Sequence, residues 1–171
     1  MCDMEIDLVE VNKDFKENVY TLIKDFWKEH NNIHITDEEA KKDFEEWTKE
    51  GHKLYIIKHE NEYIGFAHLG SRGAAIDWLE DLYISKEFQG KGFGIEVINR
   101  LEKIVKRYSE SLYIEVAARN LNAMMLYRDL GYDCLNTITI RKDFNVEDFE
   151  VIKREQIAGL DFEIKKYKDN K

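Results

Sequence analysis

The sequence predicts an α/β protein in which a mixed, mostly antiparallel sheet is flanked by helices. Three observations carry that expectation. Stretches in which apolar residues alternate are interleaved with stretches in which they recur every three or four positions, the periods of strand and helix. A chain of 171 residues, 43% hydrophobic and 12% aromatic, can bury one sizeable core. No internal repeat, low-complexity tract or linker divides it, so residues 1–171 are read as a single domain.

The elements follow in order. "EIDLVEV", residues 5–11, alternates as a strand, and "KDFKENVYTLIKDFWKEH" then sets Phe15, Val19, Leu22, Ile23, Phe26 and Trp27 at helical spacing. "TDEEAKKDFEEWTKEG" opens with Thr36 and, three residues on, Glu39, a capping box. It closes on Gly51, which predicts a second helix from about 37 to 50. "KLYIIKHE" and "EYIGFAHLGS" are strands joined at Asn61 as a hairpin, and "AAIDWLEDLYI" is a more apolar, more central strand. From Gly92 onward Ile95, Val97, Ile98, Leu101, Ile104, Val105 and Tyr108 predict a helix of about 16 residues. "SLYIEVA", residues 111–117, alternates again; "NLNAMMLYRDLG" is a short helix stopped by Gly131, and "YDCLNTITIRKDF" a long strand. The remainder fits either two strands around Gly159 or a short helix and a strand.

Composition excludes several classes. The formal net charge of -9 repels a phosphate backbone, so nucleic acid is not an expected partner; the same field favours a cationic ligand, or simply serves solubility. Cys2 and Cys134 give neither a disulfide framework nor a paired metal spacing, which points to a reducing, intracellular setting. No apolar run reaches 18 residues and the N-terminus is acidic and alternating, so the expectation is a cytoplasmic protein without a membrane span. His30 and His34 lie four apart but straddle a helix end and lack a third ligand, so no metal is expected. His52, His59 and His68 read as isolated strand-surface or pocket-wall residues, and Cys134 as a small core residue.

The densest signal is "EDLYISKEFQGKGFG", residues 80–94, where Gly90, Gly92 and Gly94 stand between an apolar strand and a periodic helix. Glycines weaken both kinds of element, so they need a backbone reason. The spacing is neither a Walker A loop nor a dinucleotide fingerprint. Two readings remain: a tight strand-to-helix connection with no ligand, or a turn whose amides approach a diphosphate, where first-turn N–H groups and the helix dipole favour negative charge.

"QGKGFG", residues 89–94, resembles the Q/R-x-x-G-x-G/A signature of the GNAT superfamily of N-acetyltransferases. Asn120, Ala123 and Tyr127 match that family's Asn-x-x-Ala-x-x-x-Tyr motif, and the order of elements from about residue 53 to 143 matches its core. Within the family, "LEDLYI" and "RNLNAMMLYRDLGY" are similar to the diamine and polyamine (spermidine/spermine) acetyltransferases. The first 50 residues and the last 28 carry no such match.

The resemblance implies a GNAT fold: about six to seven strands, about four helices and a bulge in the fourth strand that splays it from the next. It also implies acetyl-CoA as co-substrate and direct attack by a primary amine, with no metal. By the match, the backbone of Leu82, Tyr83 and Ile84 holds the thioester and pantetheine, and Gln89, Gly90, Lys91, Gly92, Phe93, Gly94 and Ile95 hold the diphosphate. Asn120, Ala123 and Tyr127 share one helix face along the cofactor, with Tyr127 as general acid. Glu80, two residues before Leu82, is the candidate base, acting through water, or an acceptor-binding carboxylate. Asp81 falls on the opposite face of a regular strand; a bulge would bring the two together, to suit a diammonium acceptor. Helices at about 14–50 are expected to border the acceptor, an aminoglycoside-type antibiotic, amino acid or protein N-terminus being the other candidates. A homodimer and the role of residues 144–171 stay open, as does a non-catalytic module that binds coenzyme A without chemistry.

Overall fold

A computed structural model describes residues 5–168, and Cys2 lies outside them. The chain falls into two compact units, divided in sequence between Glu115 and Val116.

The first unit holds β1 (Ile6–Glu10), α1 (Lys16–Asn31), α2 (Asp37–Trp47), β2 (His52–His59), β3 (Glu62–Ser71), β4 (Ile76–Ile84), α3 (Phe93–Val105) and β5 (Tyr113–Ile114). The strands form one sheet in the order β1-β2-β3-β4-β5, antiparallel except for the β4–β5 pair. Helices cover both faces. The apolar stripes of α1 (Val19, Leu22, Ile23, Phe26) and α2 (Ala40, Phe44, Trp47) pack on Leu54, Ile56, Phe66 and Tyr83. Phe26 anchors that core, its ring 5.5 Å from Phe66 and 6.0 Å from Tyr83, both edge-on. Alternate residues of β2 face the other way: Tyr55 and Ile57 are buried, and the His59 ring meets Phe93 of α3 at 4.7 Å.

Local signals explain the element ends. The capping box forms as the spacing predicts, with Thr36 Oγ1 accepting from the Glu39 amide at 3.2 Å and Glu39 Oε2 accepting from the Thr36 amide at 2.8 Å. Such a cap is worth about 1 kcal/mol. The helix ends at Trp47 rather than at about 50, where the Thr48 hydroxyl donates to the Phe44 carbonyl at 2.6 Å. The β2–β3 hairpin turns at Glu60, φ 53°, and Asn61.

The second unit holds α4 (Leu121–Asp129), β6 (Phe149–Ile157) and β7 (Leu160–Tyr167). The last two form an antiparallel hairpin through Ala158 (φ 52°) and Gly159 (φ 78°), the paired positive φ of a two-residue hairpin turn. Of the two C-terminal alternatives, the strand pair is the one that forms.

Three expectations need correction. "YDCLNTITIRKDF" carries no strand ladder, and Leu135, Ile138, Ile140 and Phe144 are exposed. Its β-branched composition fits a pleated surface only where a partner strand exists, and in this unit β6 and β7 pair with each other. Cys134 is accordingly exposed rather than a core residue. The strands therefore divide into a five-stranded and a two-stranded sheet instead of one sheet of six to seven. Among the described residues, no helix is long and apolar enough to cross a membrane.

Candidate active site

The site in the first unit is built by an irregularity in β4. His68 pairs with Asp81 and Leu69 with Leu79, which leaves Glu80 as an extra residue in the ladder. A bulge breaks the alternation of faces. Gly70 and His68 share the face of Phe66. A Cβ at Gly70 would come within 3.0 Å of Glu80 Cγ, while Asp81 Oδ2 accepts a hydrogen bond from His68 Nδ1 at 2.9 Å. Glu80 and Asp81, adjacent in sequence, therefore both emerge on the α1/α2 face. The bulge expected in the fourth strand is present, at the residue where it unites the two carboxylates.

Each carboxylate has a distinct partner. Both oxygens of Glu80 are engaged by Arg72, Nε to Oε1 at 3.1 Å and Nη2 to Oε2 at 2.9 Å. The remaining arm of the guanidinium, Nη1, donates to Glu115 Oε2 at 2.6 Å, and the group lies 3.8 Å above the Trp78 ring. Bidentate pairing fixes geometry as well as charge. Asp81 instead ends a chain of rings: His52 Nδ1 lies 2.8 Å from His68 Nε2 with the two imidazoles near-coplanar, and the His68 ring is also near-parallel to Trp47, each centroid 5.1 Å away. Burial, then the neighbouring His68, lowers the pKa of His52 from its ordinary value. Asp43 of α2 faces the same cluster; burial raises its pKa although Trp27 Nε1 donates to it at 2.7 Å.

Beyond the bulge the sheet opens. The parallel β4–β5 pairing consists of Trp78 with Tyr113 and Leu79 with Ile114, and ends there. Among the described residues, the β5-side edge of β4 has no strand partner from Glu80 through Leu82, Tyr83 and Ile84. An open main-chain edge is where an extended, amide-bearing ligand can add as a strand.

The glycine turn follows. Gly90 (φ 71°) and Gly92 (φ 91°) occupy the left-handed region, and Gly92 caps α3 without a side-chain hydrogen bond. The first-turn amides of Phe93, Gly94 and Ile95 thus have no capping side chain, the chemistry that suits a diphosphate. Lys91 Nζ lies 5.4 Å above the Phe88 ring. Gln89 has a structural task that sequence reasoning did not assign: its Nε2 donates to the Ile84 carbonyl at 2.7 Å and to Glu29 at 3.0 Å, tying the loop to the end of β4. Glu29 also accepts from the buried Tyr83 hydroxyl at 2.9 Å, and burial together with this contact raises the tyrosine's pKa.

In the second unit, Asn120 caps α4, its Oδ1 accepting from the Ala123 amide at 3.2 Å. Ala123 and Tyr127 are the more protected positions of the helix, one turn apart on one face. The Tyr127 ring meets Tyr132 edge-on at 5.9 Å, and burial raises its pKa above the ordinary phenol value.

Arg72, His52 and His68 were missed as a set. The signal was available in the hairpin register: period two places His52 on the face of Leu54 and Ile56, and His68 on that of Phe66.

The sequence profile described as Acetyltransferase (GNAT) family matches residues 17–132. A probable spermine N(1)-acetyltransferase of Bacillus subtilis subsp. natto (strain BEST195) is 27% identical over 101 residues, 53% of this chain. That match spans 63% of the relative's own length. Among solved structures, a possible acetyltransferase from Clostridium difficile 630 superposes with a TM-score of 0.64 at 16% identity, covering 82% of this chain and 99% of its own. The aminoglycoside enzyme AAC(6')-Iy, in complex with the bisubstrate analogue CoA-S-monomethyl-acetylneamine, gives 0.63 at 19% identity, over 81% and 99%. These structural likenesses show the fold.

Proposed function

Since the chain belongs to the GNAT acetyltransferase family, we propose that it transfers an acetyl group from acetyl-CoA directly to a primary amine of a small cationic acceptor, a polyamine or diamine first. The observation that carries the acceptor is the bulge that puts Glu80 and Asp81 on one face, next to the open edge of β4. Two neighbouring carboxylates suit an ammonium. The probable spermine acetyltransferase among the relatives supports the same class.

In this reading acetyl-CoA supplies an activated acetyl thioester. The amide of Leu82 polarises its carbonyl, and Tyr83 and Ile84 line the pantetheine. Gln89, Gly90, Lys91, Gly92, Phe93, Gly94 and Ile95 form the diphosphate turn. Asn120 and Ala123 present the cofactor face of α4, and Tyr127 protonates the departing thiolate. An amine of pKa about 10.4 is charged at pH 7, and removing its proton costs roughly 4 to 5 kcal/mol, so a proton acceptor is needed. Glu80 is the candidate base or ammonium anchor, with Asp81 beside it.

A second reading, a module that binds coenzyme A without chemistry, draws on the bidentate hold of Arg72 on Glu80. A thiol-release assay across polyamines, aminoglycosides, amino acids and peptides separates the two. The enzyme releases thiol only with an acceptor; the module binds acetyl-CoA and releases none.

The diphosphate turn has its own test. A Cβ at Gly94 would meet nothing within 4 Å, and the position lies in the first turn of α3, where acids are favoured. Gly94→Glu should leave thermal stability equal or higher. It should also weaken acetyl-CoA binding by about tenfold or more through like-charge repulsion, read by calorimetry. Unchanged affinity would place the diphosphate elsewhere.

A further inference from the structure

Building on the acetyltransferase reading above, we propose that Asp81, His68 and His52 act as one proton-accepting unit for the acceptor amine, with His52 Nε2 its solvent-side acceptor and His68 the positioning residue between.

The hydrogen-bond inventory fixes the polarity of the chain. A carboxylate only accepts, so the 2.9 Å contact requires the proton on His68 Nδ1. A neutral imidazole carries one N–H, so His68 Nε2 is bare and the 2.8 Å contact requires the proton on His52 Nδ1. That leaves His52 Nε2 as a lone pair. His68 is 3% exposed, near-parallel to the Trp47 ring and edge-to-edge with His52, so burial and the hydrogen bonds at its two nitrogens hold the order. His52 is half-buried, and its depressed pKa keeps it neutral and receptive near pH 7.

Glu80 suits this task less. Both its oxygens are committed to the Arg72 guanidinium, so neither is free to meet an incoming proton. It serves better as an ammonium anchor. Among the described residues, charged groups facing the chain are Asp43 and Glu46 of α2, Lys49 after it and Glu80 of β4, the last held by Arg72. At His52, Glu46 and Glu80 act to raise the pKa and Lys49 to lower it, with burial the larger effect.

The step balances. One N–H bond of the acceptor ammonium breaks and its proton passes to His52 Nε2, directly or through one water. The His52 Nδ1 proton shifts to His68 Nε2 as the His68 Nδ1 proton shifts to Asp81, so the unit goes from one negative charge to none. The freed lone pair forms the C–N bond at the thioester carbonyl, the C–S bond breaks and the thiolate takes the proton of Tyr127; the second proton that the nitrogen sheds in becoming an amide restores the Tyr127 phenol, directly or through water. The unit then returns its proton to water by the reverse shifts.

Two measurements test this. In ¹⁵N-histidine-labelled protein, both His52 and His68 should be Nδ1–H tautomers near neutral pH, and Asp81→Asn should change the His68 signal; an Nε2–H tautomer at His68 overturns the proposal. In kinetics with the amine found by the thiol-release screen, His52→Gln and His68→Asn should lower kcat/KM by about 10²-fold and remove the acidic limb of its pH profile. Acetyl-CoA affinity should be unchanged. Asparagine at 68 keeps a donor toward Asp81 but cannot pass a proton. Variants that retain the wild-type acidic limb overturn the proposal alone. A wild-type protein that acetylates no amine overturns the acetyltransferase reading and this proposal with it.

Discussion

Gly65→Ala should destabilise the protein by about 3 kcal/mol or more and lower the midpoint of thermal unfolding by roughly 6–12 °C. A Cβ at Gly65 would sit 2.0 Å from the Tyr83 carbonyl oxygen and 3.1 Å from Ile84 Cα, main-chain atoms of the neighbouring strand. A side chain at that distance could rotate away; a carbonyl in a ladder cannot. Relief requires β3 and β4 to part where Gly65 pairs with Ile84. That separation would carry Tyr83 out of the aromatic core and pull the Ile84 carbonyl from Gln89. Denaturation of the variant by urea and heat checks the prediction, and a loss under 1 kcal/mol would mean the strands approach less closely than described. Gly70 is a useful contrast, since its Cβ would meet the Glu80 side chain rather than backbone.

On the proposed role of Tyr127 as general acid, Tyr127→Phe should lower kcat by about 10²-fold or more while leaving acetyl-CoA affinity unchanged, because the ring is kept and only the hydroxyl is lost. The pH dependence has a definite sign. Burial raises the Tyr127 pKa, which keeps the phenol protonated through neutrality and moves the alkaline limb of the rate above the ordinary tyrosine range, near 10. The wild type should therefore hold its activity up to that limb, and the variant should lack it. Equal turnover in the two proteins would remove Tyr127 from the chemistry.

How far the chain could be read before its structure depended on the range of each signal. α1, α2 and α3 follow from apolar periodicity, and the Thr36 and Glu39 cap from a three-residue spacing, all local information. The β2–β3 hairpin and the glycine turn are likewise local. The strand expected at 132–144 failed because a ladder depends on an edge, which composition cannot supply. At the site, Glu80 and Asp81 were recognisable as residue types, but their shared face depends on a register shift between two strands. Arg72 and Glu115 lie 43 residues apart, and no pattern in either segment announces that they pair. The histidine chain sits between these extremes, implicit in a hairpin register yet visible only when two strands and a helix are assembled.

The extra residue in β4 has an evolutionary consequence. Without Glu80, Leu79 would precede Asp81 directly, and their partners Leu69 and His68 are already consecutive, so the ladder would run unbroken between these two pairs, with the irregularity at Gly70 and Ser71 kept. A one-codon deletion here would thus erase the arginine-held carboxylate while leaving the histidine-linked one in register. In such a strand, loss of one residue removes a single carboxylate without shifting its neighbour's partner.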